Sequence, residues 1–249
     1  MGPDSQHGAK ANVDYLKEYY EGSAVADYDR KRETHPAWLA EQEALSVFLR
    51  AAALPAGSLV LDIPVGTGRF LETYAAQGFR VLGIDISPDM VAASRRRCAA
   101  VGLRDATFEL GDATRLACAD KRVDLAVSVR FLNHLELGAV RSVVAELARV
   151  SRRFLIVHVR IARPAADGFT IAAAAGALRN LWGRLETLAA PIYKRKKVAD
   201  TATTLHAESA IHEIFVRAGL RILDQRAVRQ RPYQGFDARM YLLAVGPMP

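Results

Sequence analysis

Short aliphatic runs alternate with helical stretches from residue 58 to residue 159, and this alternation constrains the fold more than any other feature of the sequence. The helical stretches occupy about residues 69–77, 88–101 and 137–150. The aliphatic runs are SLVLDI (58–63), RVLGIDI (80–86), ATFEL (106–110), VDLAVSV (123–129) and FLIVHV (154–159). Because strands that are joined through helices pair in parallel, the pattern predicts an α/β fold with a doubly wound, mostly parallel sheet.

The remainder of the chain adds to this sheet and flanks it. An amphipathic helix is expected at 37–53, a further helix at 209–219, and strands at 221–229 and 238–246, which brings the number of strands to seven. We expect a single domain over residues 9–249, with its core at 37–160 and 206–249. Residues 9–36 precede this core, the basic and helical residues 161–205 interrupt it, and residues 1–8 form a polar leader outside the fold.

Composition excludes several classes of protein. Of the 249 residues, 51% are hydrophobic and 24% are charged, and the mean hydropathy is +0.03, so a disordered tail, a coiled-coil rod and a multi-pass membrane protein are excluded. The longest apolar run, 169–178, is too short to span a bilayer. Cys98 and Cys118 cannot build a disulfide framework, and no signal peptide is recognised. The sequence therefore predicts a cytoplasmic protein without a membrane span.

A glycine-containing turn follows the first strand. In VLDIPVGTGRF (60–70), a buried strand ends at Asp62 and the turn with Gly66 and Gly68 leads into a helix. Glycines let the backbone approach a ligand closely, and the amide groups at a helix start can point toward it. A dinucleotide fingerprint needs a third glycine where this chain has Leu71, so binding of NAD or FAD is disfavoured.

Two acidic residues follow the next two strands. Asp85 ends the second strand, where a carboxylate can accept hydrogen bonds from both hydroxyls of a bound ribose. Asp112, in GDA (111–113), follows the third strand and is placed to meet an adenine amine. With Asp62, these acids stand at successive strand ends and predict one ligand site.

Four motifs in this order, VLDIPVGTGRF, VLGIDIS, GDA and VDLAVSVRFLNHLE, resemble the class I S-adenosylmethionine-dependent methyltransferases. The resemblance covers residues 58 to about 160 and extends more loosely to the C-terminus. It implies a Rossmann-like seven-stranded sheet with an antiparallel last strand, S-adenosylmethionine as cofactor and S-adenosylhomocysteine as product. It also implies an N-terminal lid at 9–36 and a basic helical cap at 161–205 over the substrate pocket. The cofactor-binding positions that it implies are Asp62, Pro64, Gly66, Gly68, Arg69, Asp85, Ile86, Met90, Asp112, Ala113 and Val129.

The residues after the fourth strand, 128–134, face the methyl group in enzymes that this chain resembles. They contain neither the Asn/Asp-Pro-Pro-aromatic motif that holds planar amines nor a cysteine nucleophile. His134 is the candidate general base, because an imidazole titrates near neutral pH. In the alternative interpretation it caps the next helix or lines the pocket. Arg130 and, in the predicted lid, Tyr28 are the other candidate catalytic residues.

The net charge of +7 is confined to one fifth of the chain. Residues 151–200 hold ten basic and three acidic side chains, and the rest is neutral. Three interpretations remain open for this segment, which includes KRKK at 194–197: a solvated surface, a site for an anionic small substrate, or a contact with RNA or DNA. His206 and His212 flank it without acidic or cysteine partners at ligand spacing, so no metal site is predicted.

The sequence thus predicts an enzyme that transfers a methyl group from S-adenosylmethionine to an oxygen or nitrogen atom of a small molecule, with an anionic acceptor among those that the basic segment allows. Two alternatives are kept. One is a methyltransferase that modifies RNA, and the other is a noncatalytic domain that binds the cofactor.

Overall fold

The computed structural model describes residues 35–162, 204–228 and 236–246. Most of the predicted lid, including Tyr28, and most of the predicted cap at 161–205 lie outside these residues. The helices of the described part are α1 (Pro36–Ala52), α2 (Leu71–Ala76), α3 (Pro88–Val101), α4 (Leu137–Val150) and α5 (Glu208–Arg217). The strands are β1 (Leu59–Asp62), β2 (Arg80–Asp85), β3 (Ala106–Leu110), β4 (Val123–Ser128), β5 (Ser151–Ala162), β6 (Leu220–Ala227) and β7 (Phe236–Val245).

The seven strands form one mixed sheet in the order β3-β2-β1-β4-β5-β7-β6. Strands β1 to β5 are parallel, and β7 runs antiparallel to both β5 and β6. The α/β prediction, the number of strands and the antiparallel final strand are therefore confirmed. The strand order reverses between β1 and β4, and in open sheets of this kind ligands bind outside the carboxyl ends of the strands at such a reversal.

Helices cover both faces of the sheet because the central strands are apolar on both sides. In β4, Leu125 and Val127 pack with residues of α1, α2 and α3, among them Phe48. The other face of the same strand, at Ala126, packs with residues of α4 and α5, among them Phe215. The two hydrophobic layers hold β1, β2 and β4 rigidly, so the loops at their carboxyl ends start from fixed positions.

Helix α1 begins and ends at recognisable signals. The His35 ring accepts a hydrogen bond from the Ala37 amide at 3.2 Å, and Pro36 occupies the first turn, where a missing N–H costs nothing. Ala53 ends the helix in a left-handed conformation, with its N–H bonded to the Arg50 carbonyl. The helix lies on the sheet face that also carries α2 and α3, which places its N-terminal half near the start of α2.

Two predicted boundaries were wrong. The helix expected from about residue 69 begins at Leu71, because Arg69 and Phe70 belong to the preceding turn. The strand expected from residue 154 begins at Ser151, because Ser151 pairs with Val123 before an irregularity in β4 shifts the register. Within the described ranges, no helix is both long and apolar enough to cross a membrane.

Candidate functional site

A pocket opens at the carboxyl ends of β1, β2 and β4, where the strand order reverses. Most of the residues predicted to bind cofactor or take part in catalysis line it. They are Pro64, Gly66, Arg69, Asp85, Ile86, Met90, Asp112, Ala113, Val129, Arg130 and His134. The structure thus brings together in one cavity residues from four separate motifs, which lie between Pro64 and His134 in the sequence.

Asp85 is fixed in this pocket by two backbone groups. Its Oδ2 accepts a hydrogen bond from the Gly66 amide at 2.9 Å, and its Oδ1 accepts one from the Ser87 amide at 3.0 Å. Burial raises the pKa of the Asp85 carboxyl, and hydrogen bonds from backbone amides oppose that shift. Each carboxylate oxygen has a further lone pair, so the oriented group can still accept hydrogen bonds from a ligand.

The two glycines of the turn have different tasks. Gly66 has φ +56°, lines the pocket, and an added Cβ would meet no atom within 4 Å. Gly68 has φ +78° and does not line the pocket; an added Cβ would lie 2.6 Å from Leu71 Cδ1 and 3.3 Å from Ser94 Cα. Gly66 therefore keeps space open on the ligand side, whereas Gly68 permits close packing of the turn on α2 and α3.

Asp62 also lies behind the pocket wall rather than in its lining. Its side chain is buried beside Tyr74 and Arg69, and burial raises the pKa of its carboxyl well above the usual value. Tyr74 and Arg69 act in the opposite direction, and the neighbouring Asp85 adds to the increase. Asp62 therefore interacts with Arg69 and Tyr74 beside the glycine turn and does not line the pocket itself.

Asp112 lines the pocket on the side of β3. Its Oδ1 accepts hydrogen bonds from both the amide and the hydroxyl of Thr114, each at 2.8 Å. These bonds fix the side chain through one oxygen only. The second oxygen can accept a hydrogen bond from a ligand amine, as the prediction for adenine requires.

A buried cluster of charges lies next to the pocket, and sequence reasoning missed its centre. Glu41 of α1 is fully buried, and its Oε2 lies 2.9 Å from Arg69 Nη1 and 3.5 Å from Arg130 Nη1. Its Oε1 lies 3.9 Å from Nε2 of His158 on β5. The Arg69 guanidinium is held between the rings of Trp38 and Phe70, at 3.9 and 4.2 Å from their centroids.

A signal for Glu41 was present in the sequence. Trp38, Glu41, Leu45, Phe48 and Ala52 recur at spacings of three and four residues and are all buried on one stripe of α1. A lone carboxylate on an apolar stripe requires a cationic partner, because an unpaired buried charge is strongly unfavourable. The partners could not be read from the sequence, since they lie 28, 89 and 117 positions further along the chain.

His134 ends a 3-10 turn (Leu132–His134) that follows β4 and borders the pocket. Burial lowers its pKa to about 4, and Arg160, Arg130 and His158 contribute to the decrease. Two contacts hold this turn in place. The His206 ring Nε2 lies 3.2 Å from the Leu132 carbonyl oxygen, and the Thr204 amide donates a hydrogen bond to the Asn133 carbonyl at 2.8 Å. At neutral pH this imidazole is therefore uncharged, and it is a weaker base than a free imidazole.

Comparison with known proteins identifies the central segment. Residues 60–153 match the family described as "Methyltransferase domain". This segment is therefore similar to methyltransferase domains. The demethylmenaquinone methyltransferase of Thermobifida fusca (strain YX) is 34% identical over 96 residues, which are 39% of this chain and 40% of that protein. The enzyme of the same name from Beutenbergia cavernae is 38% identical over 96 residues, 39% of this chain and 37% of that protein. The chain thus spans about two fifths of the length of the curated relatives that it matches.

Solved structures share the fold over most of the chain. Magnesium protoporphyrin IX methyltransferase from Synechocystis PCC 6803, solved with bound SAH, gives a TM-score of 0.70 at 18% identity and covers 94% of this chain and 100% of its own. The [4+2]-cyclase SpnF gives 0.62 at 16% identity, over 83% of this chain and 82% of its own. At these identities the likeness establishes the methyltransferase fold, and the cyclase shows that the fold also hosts other chemistry.

Proposed function

We propose that this chain is an S-adenosylmethionine-dependent methyltransferase that acts on an oxygen or nitrogen atom of a small, negatively charged molecule. The observation that carries the proposal is the position of Asp85. Its carboxylate, at the end of β2, accepts a hydrogen bond from the amide of Gly66 in the glycine turn after β1, and it lines the pocket together with Asp112. The pocket lies in the segment that matches the methyltransferase family.

The residues of the pocket fit this cofactor. Asp85 would accept hydrogen bonds from the ribose hydroxyls, and Asp112 would accept one from the adenine amine, with Ile86 and Met90 as apolar walls. The open space at Gly66 admits the chain that carries the sulfonium. When bound, S-adenosylmethionine supplies a methyl group on a positively charged sulfur, which is reactive toward nucleophiles without further activation.

The protein has to position the acceptor, exclude water and, for a hydroxyl acceptor, take up a proton. Three features support these tasks in the pocket. Val129 and Phe131 provide apolar lining beside His134, the short turn that carries His134 is held by Thr204 and His206, and the imidazole is neutral at pH 7 because its pKa lies at about 4. His134 is the proposed proton acceptor because it borders the pocket in its uncharged form, although its lowered pKa makes it a weak base.

For the methyl acceptor we propose a chemical class and not a particular compound. The relatives are named for demethylmenaquinone, but they match about two fifths of their own length, so their acceptor is not carried over to this chain. A small anionic acceptor is supported by the excess of basic residues at 151–200 and by Arg130 in the pocket lining. We place the enzyme in the cytoplasm, which the two free thiols of Cys98 and Cys118 support.

Calorimetric titration with S-adenosylmethionine and S-adenosylhomocysteine tests the proposal. Charge-assisted hydrogen bonds contribute about 1.5 to 3 kcal/mol each, so Asp85→Ala should weaken binding by roughly 100-fold or more. Asp105→Ala is the matched control, because Asp105 is exposed at the opposite end of the sheet. The proposal fails if neither compound binds the wild-type chain, or if Asp85→Ala leaves the affinity unchanged.

Binding without methyl transfer would instead favour the noncatalytic alternative. To separate the two, a labelled methyl donor is incubated with a fraction of small anionic metabolites, and products that gain one methyl group are identified by mass spectrometry. The same incubation with RNA tests the second alternative. Label in RNA and none in the small molecules would contradict the proposed acceptor class.

A further inference from the structure

Arg130 stands where the candidate cofactor pocket meets the buried charge cluster. It follows β4 directly, lines the pocket, and keeps 24% of its side chain exposed. Its φ of +61° lies in the left-handed region, which residues with a Cβ rarely adopt. Such conformations persist only where the surrounding structure enforces them, and they concentrate at functional sites.

Among the described residues, Glu41 forms an ion pair with Arg130 but leaves N–H donors of its guanidinium group unused. The distance of 3.5 Å between Arg130 Nη1 and Glu41 Oε2 is that of an ion pair, whereas Arg69 takes the short contact of 2.9 Å to the same oxygen. Within the described residues, the Arg130 side chain makes this ion pair and no hydrogen bond. A guanidinium has five N–H donors in a planar fork, which matches the geometry of a carboxylate or phosphate.

Among the described residues, Arg130 and Arg160 add positive charge on this side of the pocket, and Glu41 opposes their effect. Arg130 and Arg160 both contribute to the lowered pKa values of His134 and His158, each of which is about 4, in addition to the larger effect of burial. Burial lowers the pKa of the Arg160 guanidinium most, and Arg130 lowers it further. Arginines that oppose protonation of His134 favour an anion beside it, more strongly where water is excluded, and a bound anion would in turn ease proton uptake by His134.

We propose that Arg130 binds an oxyanion group of the methyl acceptor, a carboxylate or a phosphate. This inference rests on the proposed function, which it extends by naming the recognition residue. Glu41 then acts as a positioning residue, since it orients Arg130 and does not itself line the pocket. The bound anion completes the charge balance around the buried carboxylate.

The position of Arg130 favours the acceptor, and not the cofactor, as the molecule that carries the bound anionic group. S-adenosylmethionine carries a carboxylate of its own, but the cofactor is expected along the glycine turn, where Arg69 is already paired with Glu41. Arg130 follows β4 and lies beside Phe131 and His134 in the pocket lining, on the side proposed for the acceptor. An anion held by Arg130 is therefore adjacent to the proposed proton acceptor.

The test uses the full chain loaded with S-adenosylhomocysteine. Inorganic phosphate and acetate are titrated at constant ionic strength against chloride, and the arginine side-chain N–H resonances are followed by NMR. A saturable change is expected in the wild-type chain. Arg130→Gln should weaken phosphate binding roughly tenfold or more, because a charge-assisted contact is lost. Arg50→Gln, which removes an exposed arginine of α1, should leave it unchanged.

Two results would overturn the inference while the proposed function stands. One is phosphate and acetate binding that is unsaturable or insensitive to Arg130→Gln in a chain that binds S-adenosylhomocysteine normally. The other is a loss of affinity for S-adenosylhomocysteine in Arg130→Gln with unchanged affinity for methylthioadenosine, which lacks the carboxylate; Arg130 would then hold the cofactor. Failure of the wild-type chain to bind S-adenosylhomocysteine overturns the proposed function and, with it, the assignment of the anion to an acceptor.

Discussion

Glu41 Oε2 and Arg69 Nη1 lie 2.9 Å apart in the interior, where the carboxylate is fully buried and the guanidinium is 9% exposed. The pair joins helix α1 to the glycine turn that borders the candidate cofactor pocket. Arg69 also donates a hydrogen bond to the Trp38 carbonyl at 3.3 Å. The N-terminal helix therefore supports the site through a charged contact as well as through apolar packing.

Replacement of Glu41 by glutamine should destabilise the protein. The amide keeps the size of the side chain but removes the negative charge, so Arg69 is left with a poorly compensated charge in the interior. We expect the free energy of unfolding to fall by about 3 kcal/mol, measured by chemical denaturation. Glu43→Gln, two residues along the same helix and exposed, is the matched control. Equal stability of the two variants would contradict the role assigned to Glu41.

The two glycines of the turn should respond differently to alanine. Gly68→Ala brings a Cβ to 2.6 Å from the buried Leu71 side chain and also forces a left-handed conformation, so we expect a loss of about 2 to 3 kcal/mol in the free energy of unfolding. Gly66→Ala meets no protein atom and should cost about 1 kcal/mol.

Affinity for S-adenosylhomocysteine should follow the opposite order. The added methyl group of Gly66→Ala projects into open space at the pocket, so binding should weaken in this variant although the fold is nearly intact. Calorimetric titration and denaturation of the same two samples provide both measurements. A Gly66→Ala variant that binds as well as the wild-type chain would show that the ligand does not approach this backbone.

Much of the fold and part of the site could be predicted from the sequence, for reasons that particular residues make clear. The regular alternation from 58 to 159 determined the parallel strands, and the strand-end positions of Asp85 and Asp112 determined two of the residues that line the pocket. Asp62 was placed in the site by the same reasoning but lies behind it, because position at a strand end does not determine which way a side chain points.

The cluster around Glu41 was beyond sequence analysis for a different reason. Glu41, Arg130 and His158 come from a helix, a loop and a strand that only tertiary packing brings within 4 Å. The position of Glu41 on an apolar stripe calls for a cationic partner, but nothing local marks a loop arginine or a histidine within an aliphatic run as that partner. Long-range charge pairing carries no local pattern, so only the folded structure discloses it.

His134→Gln tests the proposed proton acceptor. The amide preserves a polar side chain in the turn but cannot take up a proton, so turnover should fall by about 100-fold or more, while affinity for S-adenosylhomocysteine stays within about threefold of the wild type. His212→Gln, on α5 beside Glu208, is the control. Turnover is measured with the acceptor found by mass spectrometry, and activity near the wild-type level would leave His134 as a lining residue only.

His158 should make the protein less stable as the pH falls from 7 to 5. The side chain is fully buried, and burial, with Arg130, Arg160 and Arg69, lowers its pKa to about 4, although Glu41 acts in the opposite direction. In the unfolded chain a histidine has a pKa of about 6.5. Between these values the unfolded state binds the proton and the folded state does not, so acidification favours unfolding.

The variant His158→Gln isolates this contribution. A side chain that does not titrate removes the histidine's share of the pH dependence, whereas Asp62 and Asp85, whose raised pKa values act with the opposite sign, remain in both proteins and cancel in the difference. From pH 7 to pH 5, the free energy of unfolding of the variant should improve relative to the wild type by about 2 kcal/mol. Parallel denaturation curves with a constant difference across that range would mean that His158 is protonated in the folded state as readily as in the unfolded chain.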